Sequence, residues 1–266
     1  MMNIGFIGCG NMGTAMLNGI LQSGLGKAEN LIASANSEAT RNKIKNELKI
    51  QLAASNQEVA EFSDMMFLAV KPQYYAQVIA QIKDFVKPGQ IIVSIAPGKT
   101  LAWLEELFGK PVKLVRAMPN TPAMVLEGMT AYCVNERITS QEKERIAQIC
   151  RCFGKAEEVE ESMMDAVTSV SGSSPAYVFM MIEAMADAAV AAGMPRAKAY
   201  TFAAQAALGS AKMVLETGLH PGALKDMVCS PGGTTIEAVR VLEERGMRSS
   251  VIEAMKACVE KAKQFS

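Results

Sequence analysis

The chain has 266 residues, half of them apolar, and its 27 basic residues equal its 27 acidic residues in number. Nucleic acids and anionic membranes are bound through excess positive charge, so this balance argues against both as partners. The single histidine excludes a metal site built on several imidazoles.

The N-terminal residues and the cysteines favour a cytoplasmic protein. The sequence begins Met-Met-Asn-Ile-Gly, without the basic segment of a signal peptide, and no apolar run approaches the roughly 20 residues that span a bilayer. The cysteines have no metal-ligand spacing, so we expect free thiols in a reducing compartment and no bound metal. They are Cys9, Cys133, Cys150, Cys152, Cys229 and Cys258.

Short apolar segments alternate with helical patterns in the first half of the chain. These segments are residues 4–7, 31–34, 65–70, 91–95 and 114–118. Continuously apolar strands are typical of a parallel sheet that helices cover on both faces. The alternation predicts an α/β, Rossmann-like, doubly wound sheet, which we assign to residues 1–159.

A glycine-rich segment, GCGNMG at residues 8–13, follows the first predicted strand and opens an amphipathic helix. In this context the pattern is typical of a dinucleotide site. Gly8 permits a tight turn, Gly10 lets the backbone approach a pyrophosphate, and Gly13 allows close packing of the helix on the strand. Unpaired N–H groups at the helix start then attract the phosphates.

The end of the second predicted strand bears on the choice between NAD and NADP. NAD-binding proteins carry an acidic residue there, which binds the ribose 2′-hydroxyl. This chain has Ser34, Ala35, Asn36 and Ser37 instead, so nothing at the strand end would repel a 2′-phosphate. Asn36 or Ser37 also caps the next helix, whose N-terminus attracts anions. We therefore expect NADPH to be preferred, with NADH as the alternative cofactor.

From about Glu160 onward, strand patterns give way to alanine-rich helices, which we assign to an all-α domain of residues 160–266. One helix can begin at Pro175 and end at Gly193, and another can begin at Pro195. The many small side chains would let helices approach closely. Two interpretations stay open on this pattern: an ordinary buried helix, or a helix exchanged tightly with a second subunit.

The segment SPGGTTIE, residues 230–237, is the second informative stretch. Thr234 and Glu237 have the spacing of a capping box, which predicts a helix that begins at Thr234 and runs to Gly246. The two glycines before it leave backbone N–H groups open to a carboxylate or phosphate. A capped helix with a flexible lead-in is the alternative. Two glycines and two hydroxyls exceed what a cap needs, so we favour an anion site.

With these features the chain resembles the pyrroline-5-carboxylate reductase family over nearly its whole length. The resemblance lies in the GxGxxG segment, AVKP at 69–72, MPNTPA at 118–123, DAVT at 165–168, SGSSPAY at 171–177 and SPGGTT at 230–235. Two positions depart from the family. Ser174 stands where the family most often has glycine, and Pro97 where it usually has alanine. Both changes are small and concern local geometry.

The resemblance implies reduction of the cyclic imine 1-pyrroline-5-carboxylate to L-proline by NAD(P)H, the final step of proline biosynthesis. It also implies a homodimer built on interlocked C-terminal helices, often assembled further into decamers. A protonated imine is already electrophilic, so this reaction needs no strong general acid and suits a chain with one histidine. We interpret that residue, His220, as a helix-start residue.

Matching positions assign residues to the two ligands. The cofactor contacts would be Gly8, Cys9, Gly10, Asn11, Met12, Gly13, Ala35, Asn56, Ala69, Val70, Lys71, Pro72, Ile95, Ala96 and Pro97, and the strand-end pattern adds Asn36. The substrate contacts would be Ser230, Gly233, Thr234 and Thr235, with the substrate carboxylate on backbone N–H groups at the helix start. Thr235 is the catalytic candidate, because its counterpart in the family lies beside the substrate nitrogen.

Two other functions compete with this interpretation. A β-hydroxyacid dehydrogenase shares the order of a Rossmann domain and then helices, but it uses a lysine on a C-terminal helix as acid-base group. Lys198 and Lys212 lack the glycine-rich setting suited to that role. A redox-sensing dinucleotide-binding module, the other alternative, would not need the segment at 230–235, and a turnover assay separates it from an enzyme.

Overall fold

The computed structural model describes residues 2–264 and contains an eight-stranded sheet followed by helices. The strands are β1 (Ile4–Ile7), β2 (Leu31–Ser34), β3 (Gln51–Leu52), β4 (Met65–Leu68), β5 (Ile91–Ser94), β6 (Lys113–Met118), β7 (Gly128–Val134) and β8 (Gly154–Glu158). Within the described residues, no helix is both long enough and apolar enough to cross a membrane.

Helices lie between most of the strands and make up most of the chain after β8. They are α1 (Asn11–Gln22), α2 (Glu38–Lys43), α3 (Asn56–Phe62), α4 (Tyr75–Ile82), α5 (Leu101–Phe108), α6 (Ser140–Arg151), α7 (Met164–Val167), α8 (Ser174–Ala191), α9 (Arg196–Thr217), α10 (Pro221–Val228), α11 (Thr234–Glu244) and α12 (Met247–Lys263). The prediction of a Rossmann-like sheet followed by helices is confirmed.

The strand order across the sheet is β3-β2-β1-β4-β5-β6-β7-β8. Strands β1 to β6 are parallel to one another, whereas β7 runs antiparallel to β6 and parallel to β8. The chain leaves β1 in one direction for β2 and β3 and then returns to the other side of β1 for β4. In open α/β sheets, ligands bind at the carboxyl ends of the strands beside such a reversal.

The five predicted strands are present, with small shifts in their bounds. The third ends at Leu68, the fourth ends at Ser94, and the fifth begins at Lys113. The sequence analysis did not anticipate β3, β7 and β8. Strand β3 has only two residues, and β8 reads GKAEE with only Ala156 buried, so neither carries an apolar run.

Both faces of the central strands are buried, because helices cover each face. Alternate side chains of β1 and β4 enter separate cores: Phe6 stacks on Phe67 in one, with ring centroids 4.6 Å apart, and Ile7 packs in the other. This two-sided burial explains why the strands are continuously apolar. Polar groups are therefore accommodated in the loops at the strand ends.

The contacts divide the chain into two units. One is Ser173–Ala257, and the other comprises the described residues up to Gly172 together with those from Cys258 onward. In the helical unit, α8 and α9 pack against each other through buried small side chains, Ala186, Ala199 and Ala203. Most of the exposed large hydrophobic side chains among residues 2–264 lie in this unit, including Phe179 and Met180 on α8.

Candidate active site

A cavity of about 460 Å³ opens at the carboxyl ends of β1, β2 and β4, where the strand order reverses. The main chain of the turn from β1 to α1 forms one side of it. It is lined by Ile7, Gly8, Cys9, Gly10, Ser34, Ala35, Asn36, Ser37, Thr40, Asn56, Ala69, Val70, Lys71, Tyr74, Gln77, Val78 and Gln81. No Asp or Glu is among these lining residues.

The three glycines of the first turn have the local geometry that the pattern predicts. Gly8 has a φ of +90°, and a Cβ there would lie 2.8 Å from the Ala69 carbonyl oxygen. A Cβ on Gly13 would lie 2.9 Å from the carbonyl oxygen of Gly8. Gly10 differs from both, because a Cβ on it would meet no atom within 4 Å. The backbone at Gly10 is therefore open to an approaching ligand.

Helix α1 begins directly after this open position. Gly10 is its N-cap with extended backbone, and no side chain caps the helix. The first bond of the helix runs from the N–H of Thr14 to the carbonyl oxygen of Gly10, at 2.9 Å. The N–H groups of Asn11, Met12 and Gly13 have no acceptor among the described residues. Such groups, together with the helix dipole, suit a pyrophosphate.

The cavity wall at the end of β2 is polar and carries no acid. Ser37 is the N-cap of α2, and its hydroxyl accepts a hydrogen bond from the Thr40 N–H at 3.2 Å. This confirms the expectation that Asn36 or Ser37 caps the helix. The ammonium group of Lys71 is the one side-chain cation among the lining residues. The wall is therefore compatible with a 2′-phosphate.

The cavity brings together some of the predicted cofactor residues and not others. Those that line it are Gly8, Cys9, Gly10, Ala35, Asn36, Asn56, Ala69, Val70 and Lys71; those that do not are Asn11, Met12, Gly13, Pro72, Ile95, Ala96 and Pro97. The prediction missed the wall formed by Tyr74, Gln77 and Gln81. These residues follow one another at intervals of three and four, the spacing of one helix face. That periodicity in the sequence could have identified them as one wall.

Tyr75 holds the ends of β4 and β5 together below the cavity. Its fully buried hydroxyl donates a hydrogen bond to the Leu68 carbonyl oxygen at 2.5 Å and accepts one from the Ile95 N–H at 3.2 Å. Burial raises the pKa of Tyr75 far above its ordinary value, so the phenol stays neutral and keeps its donor. The start of the loop at 95–97 is therefore fixed to the end of β4.

In the helical unit, the segment at 230–233 forms a tight turn before α11. The N–H of Gly233 donates to the Ser230 carbonyl oxygen at 3.0 Å, and Gly232 has a φ of +67°. Proline at the second position and a left-handed glycine at the third are typical of a type II turn. A Cβ on Gly233 would lie 2.3 Å from the Ser230 hydroxyl oxygen, so this hydroxyl packs over the start of the helix.

The predicted capping box is wrong. Gly233, with extended backbone, is the N-cap of α11, and Thr234 is already the first helical residue. No side chain caps the helix, and Glu237 pairs instead with Arg240 at 2.8 Å. The turn shifts the cap by one residue, because its hydrogen bond fixes Gly233 just outside the helix. Replacing Thr234 would therefore remove no cap.

Because no side chain caps α11, the first backbone N–H groups of the helix are available to a ligand. The N–H groups of Thr234, Thr235 and Ile236 have no acceptor among residues 2–264. The side chain of Thr235 is partly buried, whereas Thr234 is exposed. A carboxylate placed here would receive backbone hydrogen bonds and the positive end of the helix dipole. Ser230 and Gly233 thus lie in the turn before α11, and Thr234 and Thr235 follow them as the first two residues of the helix.

His220 takes no part in either site. It is the N-cap of α10, and its Nδ1 accepts a hydrogen bond from the Gly222 N–H at 3.0 Å. The interpretation of His220 as a helix-start residue is therefore confirmed. Cys9 lies in the glycine turn, but burial raises the pKa of its thiol, which keeps it protonated.

Comparisons with known proteins cover both units. The family model described as pyrroline-5-carboxylate reductase dimerisation matches residues 161–265, and one described as NADP oxidoreductase, coenzyme F420-dependent, matches residues 3–98. The pyrroline-5-carboxylate reductase of Escherichia coli is 54% identical over 263 residues, 99% of this chain and 98% of that protein.

Solved structures agree with these matches. A pyrroline-5-carboxylate reductase structure from Coxiella burnetii has a TM-score of 0.92 at 34% identity, covering 100% of this chain and 98% of that one. The structure of Plasmodium falciparum pyrroline carboxylate reductase with NADP bound has a TM-score of 0.90 at 34% identity, covering 99% and 98%.

Gly10→Ala should weaken dinucleotide binding and leave the fold intact. The φ of −71° at Gly10 suits alanine, and the new Cβ meets no protein atom, so only a ligand would contact it. Gly13→Ala is the contrasting variant, since its Cβ would press on the Gly8 carbonyl oxygen and lower the melting temperature. Calorimetric titration with NADPH and thermal melts of both variants check this. Unchanged affinity in Gly10→Ala would show that this turn does not hold the phosphates.

Proposed function

The chain belongs to the pyrroline-5-carboxylate reductase family, and we propose that its nucleotide cavity holds NADPH while the turn before α11 holds the substrate carboxylate. It reduces 1-pyrroline-5-carboxylate to L-proline with NAD(P)H, the last step of proline biosynthesis. The observation that carries this conclusion is the 54% identity to the Escherichia coli reductase over 99% of the chain.

The nucleotide assignment rests on the glycine turn and the acid-free wall. The unpaired N–H groups of α1 would bind the pyrophosphate, and the open face of Gly10 gives it room. Asn36, Ser37 and Thr40 would face the 2′-phosphate, because they line the cavity beside the end of β2. When bound, the reduced nicotinamide supplies a hydride to the imine carbon.

The substrate assignment rests on the open start of α11. Its N–H groups would hold the carboxylate of the cyclic imine, and the Ser230 hydroxyl lies beside them. Fixing the carboxylate orients the ring, so that the C=N bond is presented in one direction. Reduction adds a hydride to carbon and a proton to nitrogen, and the protonated imine is the electrophile.

We assign to Thr235 a contact between its hydroxyl group and the substrate nitrogen. It is the second residue of α11, and its hydroxyl caps no helix, so it is available to a ligand. A hydroxyl both donates and accepts, which allows it to orient the imine and pass a proton between nitrogen and water. It would act as a positioned polar group rather than as an obligatory base.

The functional protein is a homodimer acting on a small molecule. We further propose that α8 forms the interface, that dimers can assemble into decamers, and that nucleic acids and membranes are not partners. Six free cysteines are compatible with a cytoplasmic location. We also propose that the two domains comprise residues 1–159 and 160–266, because the match to the dimerisation family begins at residue 161. The contacts nevertheless group the described residues up to Gly172 with the sheet.

Turnover with both cofactors tests the function and the preference together. Oxidation of NADPH, followed by nicotinamide absorbance, should require added pyrroline-5-carboxylate and exceed NADH oxidation in kcat/KM. Ala35→Asp should flatten or reverse that preference, because the carboxylate repels a 2′-phosphate and can bind the ribose hydroxyl of NADH. A wild-type protein that prefers NADH would contradict the assignment of this wall, and one without turnover would contradict the function.

The exposed side of α8 should form the dimer interface. Ala188 is exposed in the single chain, whereas Ala186 is fully buried against α9. Ala188→Leu should therefore weaken dimerisation through overpacking and leave the helical unit folded. Ala186→Leu, the matched control, should lower the melting temperature instead. Light scattering over a dilution series, with 28.5 kDa expected for the monomer, checks the shift. Unaltered dimerisation in Ala188→Leu would place the interface elsewhere.

Thr235→Val should lower kcat and kcat/KM together and leave the melting temperature unchanged. The loss should be on the order of tenfold to a thousandfold, the range for one positioned hydroxyl at the transition state. Thr235→Ser, which keeps the hydroxyl, should retain most of the activity. Steady-state kinetics with pyrroline-5-carboxylate provides the measurement. If Thr235→Val turns over at the wild-type rate, the proton must come from water and the hydroxyl has no chemical role.

A further inference from the structure

Three polar side chains at one end of the nucleotide cavity form a continuous chain of hydrogen bonds. The Ser34 hydroxyl donates to Asn56 Oδ1 at 2.6 Å, and Asn56 Nδ2 donates to Gln81 Oε1 at 2.7 Å. Ser34 ends β2, Asn56 begins α3, and Gln81 lies near the end of α4. All three line the cavity, so the chain of hydrogen bonds borders the space that a ligand would fill.

These hydrogen bonds determine which polar groups remain for a ligand. Each side-chain amide has one oxygen acceptor and two N–H donors. The oxygens of Asn56 and Gln81 each accept a hydrogen bond within the protein, whereas one N–H of Asn56 and both of Gln81 have no acceptor among residues 2–264. This end of the cavity therefore offers N–H donors, which suit the oxygen atoms of a ribose or a phosphate.

The surroundings of Gln81 indicate that it does not serve the fold. Helix α4 packs its buried residues Tyr75, Val78, Ile79 and Ile82 against the core, and Gln81 lies exposed on another side. The one hydrogen bond of its side chain within the described residues is the one from Asn56. Replacing Gln81 should therefore affect stability little, and any effect on cofactor binding would pass through Asn56 or the ligand itself.

We propose that Gln81 is a positioning residue for the cofactor. Its side chain accepts a hydrogen bond from one N–H of Asn56, and the Ser34 hydroxyl donates to the Asn56 amide oxygen. These two bonds hold the Asn56 carboxamide in one orientation. Its remaining N–H is then available to the adenosine half of the dinucleotide. This inference rests on the proposed function, in which the cavity holds NADPH. It assigns a role in cofactor binding to one of the α4 residues that line the cavity.

Calorimetric titration of the dimeric enzyme with NADPH, without substrate, tests the proposal. Gln81→Leu should raise the Kd roughly threefold to tenfold, as expected for a lost hydrogen bond. Asn56→Ala should raise it at least as much, and the double variant should match Asn56→Ala alone, because Gln81 acts through Asn56. Gln73→Leu, the same exchange at an exposed residue outside the cavity, should leave the Kd unchanged.

Two further measurements separate positioning from a structural role. In Gln81→Leu the KM for NADPH should rise, while kcat, the KM for the imine and the melting temperature stay at wild-type values. Gln81→Glu keeps an acceptor for the Asn56 N–H, so its affinity for NADH should recover relative to that of Gln81→Leu. NADH is the probe there because it carries no 2′-phosphate for the new carboxylate to repel.

The possible failures are distinguishable. Three results would each overturn the role of Gln81. Gln81→Leu could bind NADPH with wild-type affinity, its effect could add fully to that of Asn56→Ala, or Gln81→Glu could bind NADH no better than Gln81→Leu does. The proposed nucleotide site would stand in those cases, provided that Asn56→Ala weakens binding. If Asn56→Ala binds NADPH as tightly as the wild type, the placement of the nucleotide against Asn56 is itself wrong, and the role of Gln81 fails with it.

Discussion

The first N–H groups of an α-helix have no acceptor within the helix, and both candidate sites are built on that constraint. At α1 and at α11 the N-cap residue is a glycine, Gly10 and Gly233, and no side chain caps either helix. A serine or aspartate at these positions would satisfy the N–H groups internally. Glycine leaves them available to an anion, which in the assignment that we propose is a pyrophosphate at α1 and a carboxylate at α11. In that assignment the absence of a side-chain cap is what makes each helix start a binding site.

Different contacts fix the backbone before α1 and before α11. At α1, two-sided burial of β1 and the close approaches of Gly8 and Gly13 fix the turn against β4 and the helix. At α11, the hydrogen bond from Gly233 to Ser230 fixes a local turn that needs no sheet beneath it. The first site depends on the whole sheet, whereas the second depends on a few residues. A short motif, SPGGTT, can therefore be sufficient for the substrate site that we propose.

Sequence reasoning succeeded where a local pattern determines the geometry, as at the glycine turn and in the buried parallel strands. It failed at β3, which has only two residues, and at β8, where only Ala156 is buried. It also missed β7, although most residues of that strand are buried. The capping box at Thr234 failed for a different reason. The spacing of Thr234 and Glu237 fits the motif, but the preceding turn makes Gly233 the N-cap, and Arg240 binds the glutamate. The wall formed by Tyr74, Gln77 and Gln81 was missed because its polar residues look like an ordinary solvated helix face.

A single chain buries a large apolar core in the sheet unit but not in the helical unit. The sheet has two closed cores, and its nucleotide cavity is formed by strand ends that those cores hold in place. The helical unit buries little beyond small residues such as Ala186 and Ala199, and it exposes Phe179, Met180 and Phe202. Apolar surface of this kind favours association with a second copy, as the dimerisation family implies. We therefore expect the stability of that unit to depend on protein concentration. The sheet unit differs, since the contacts that support its cavity lie within one chain.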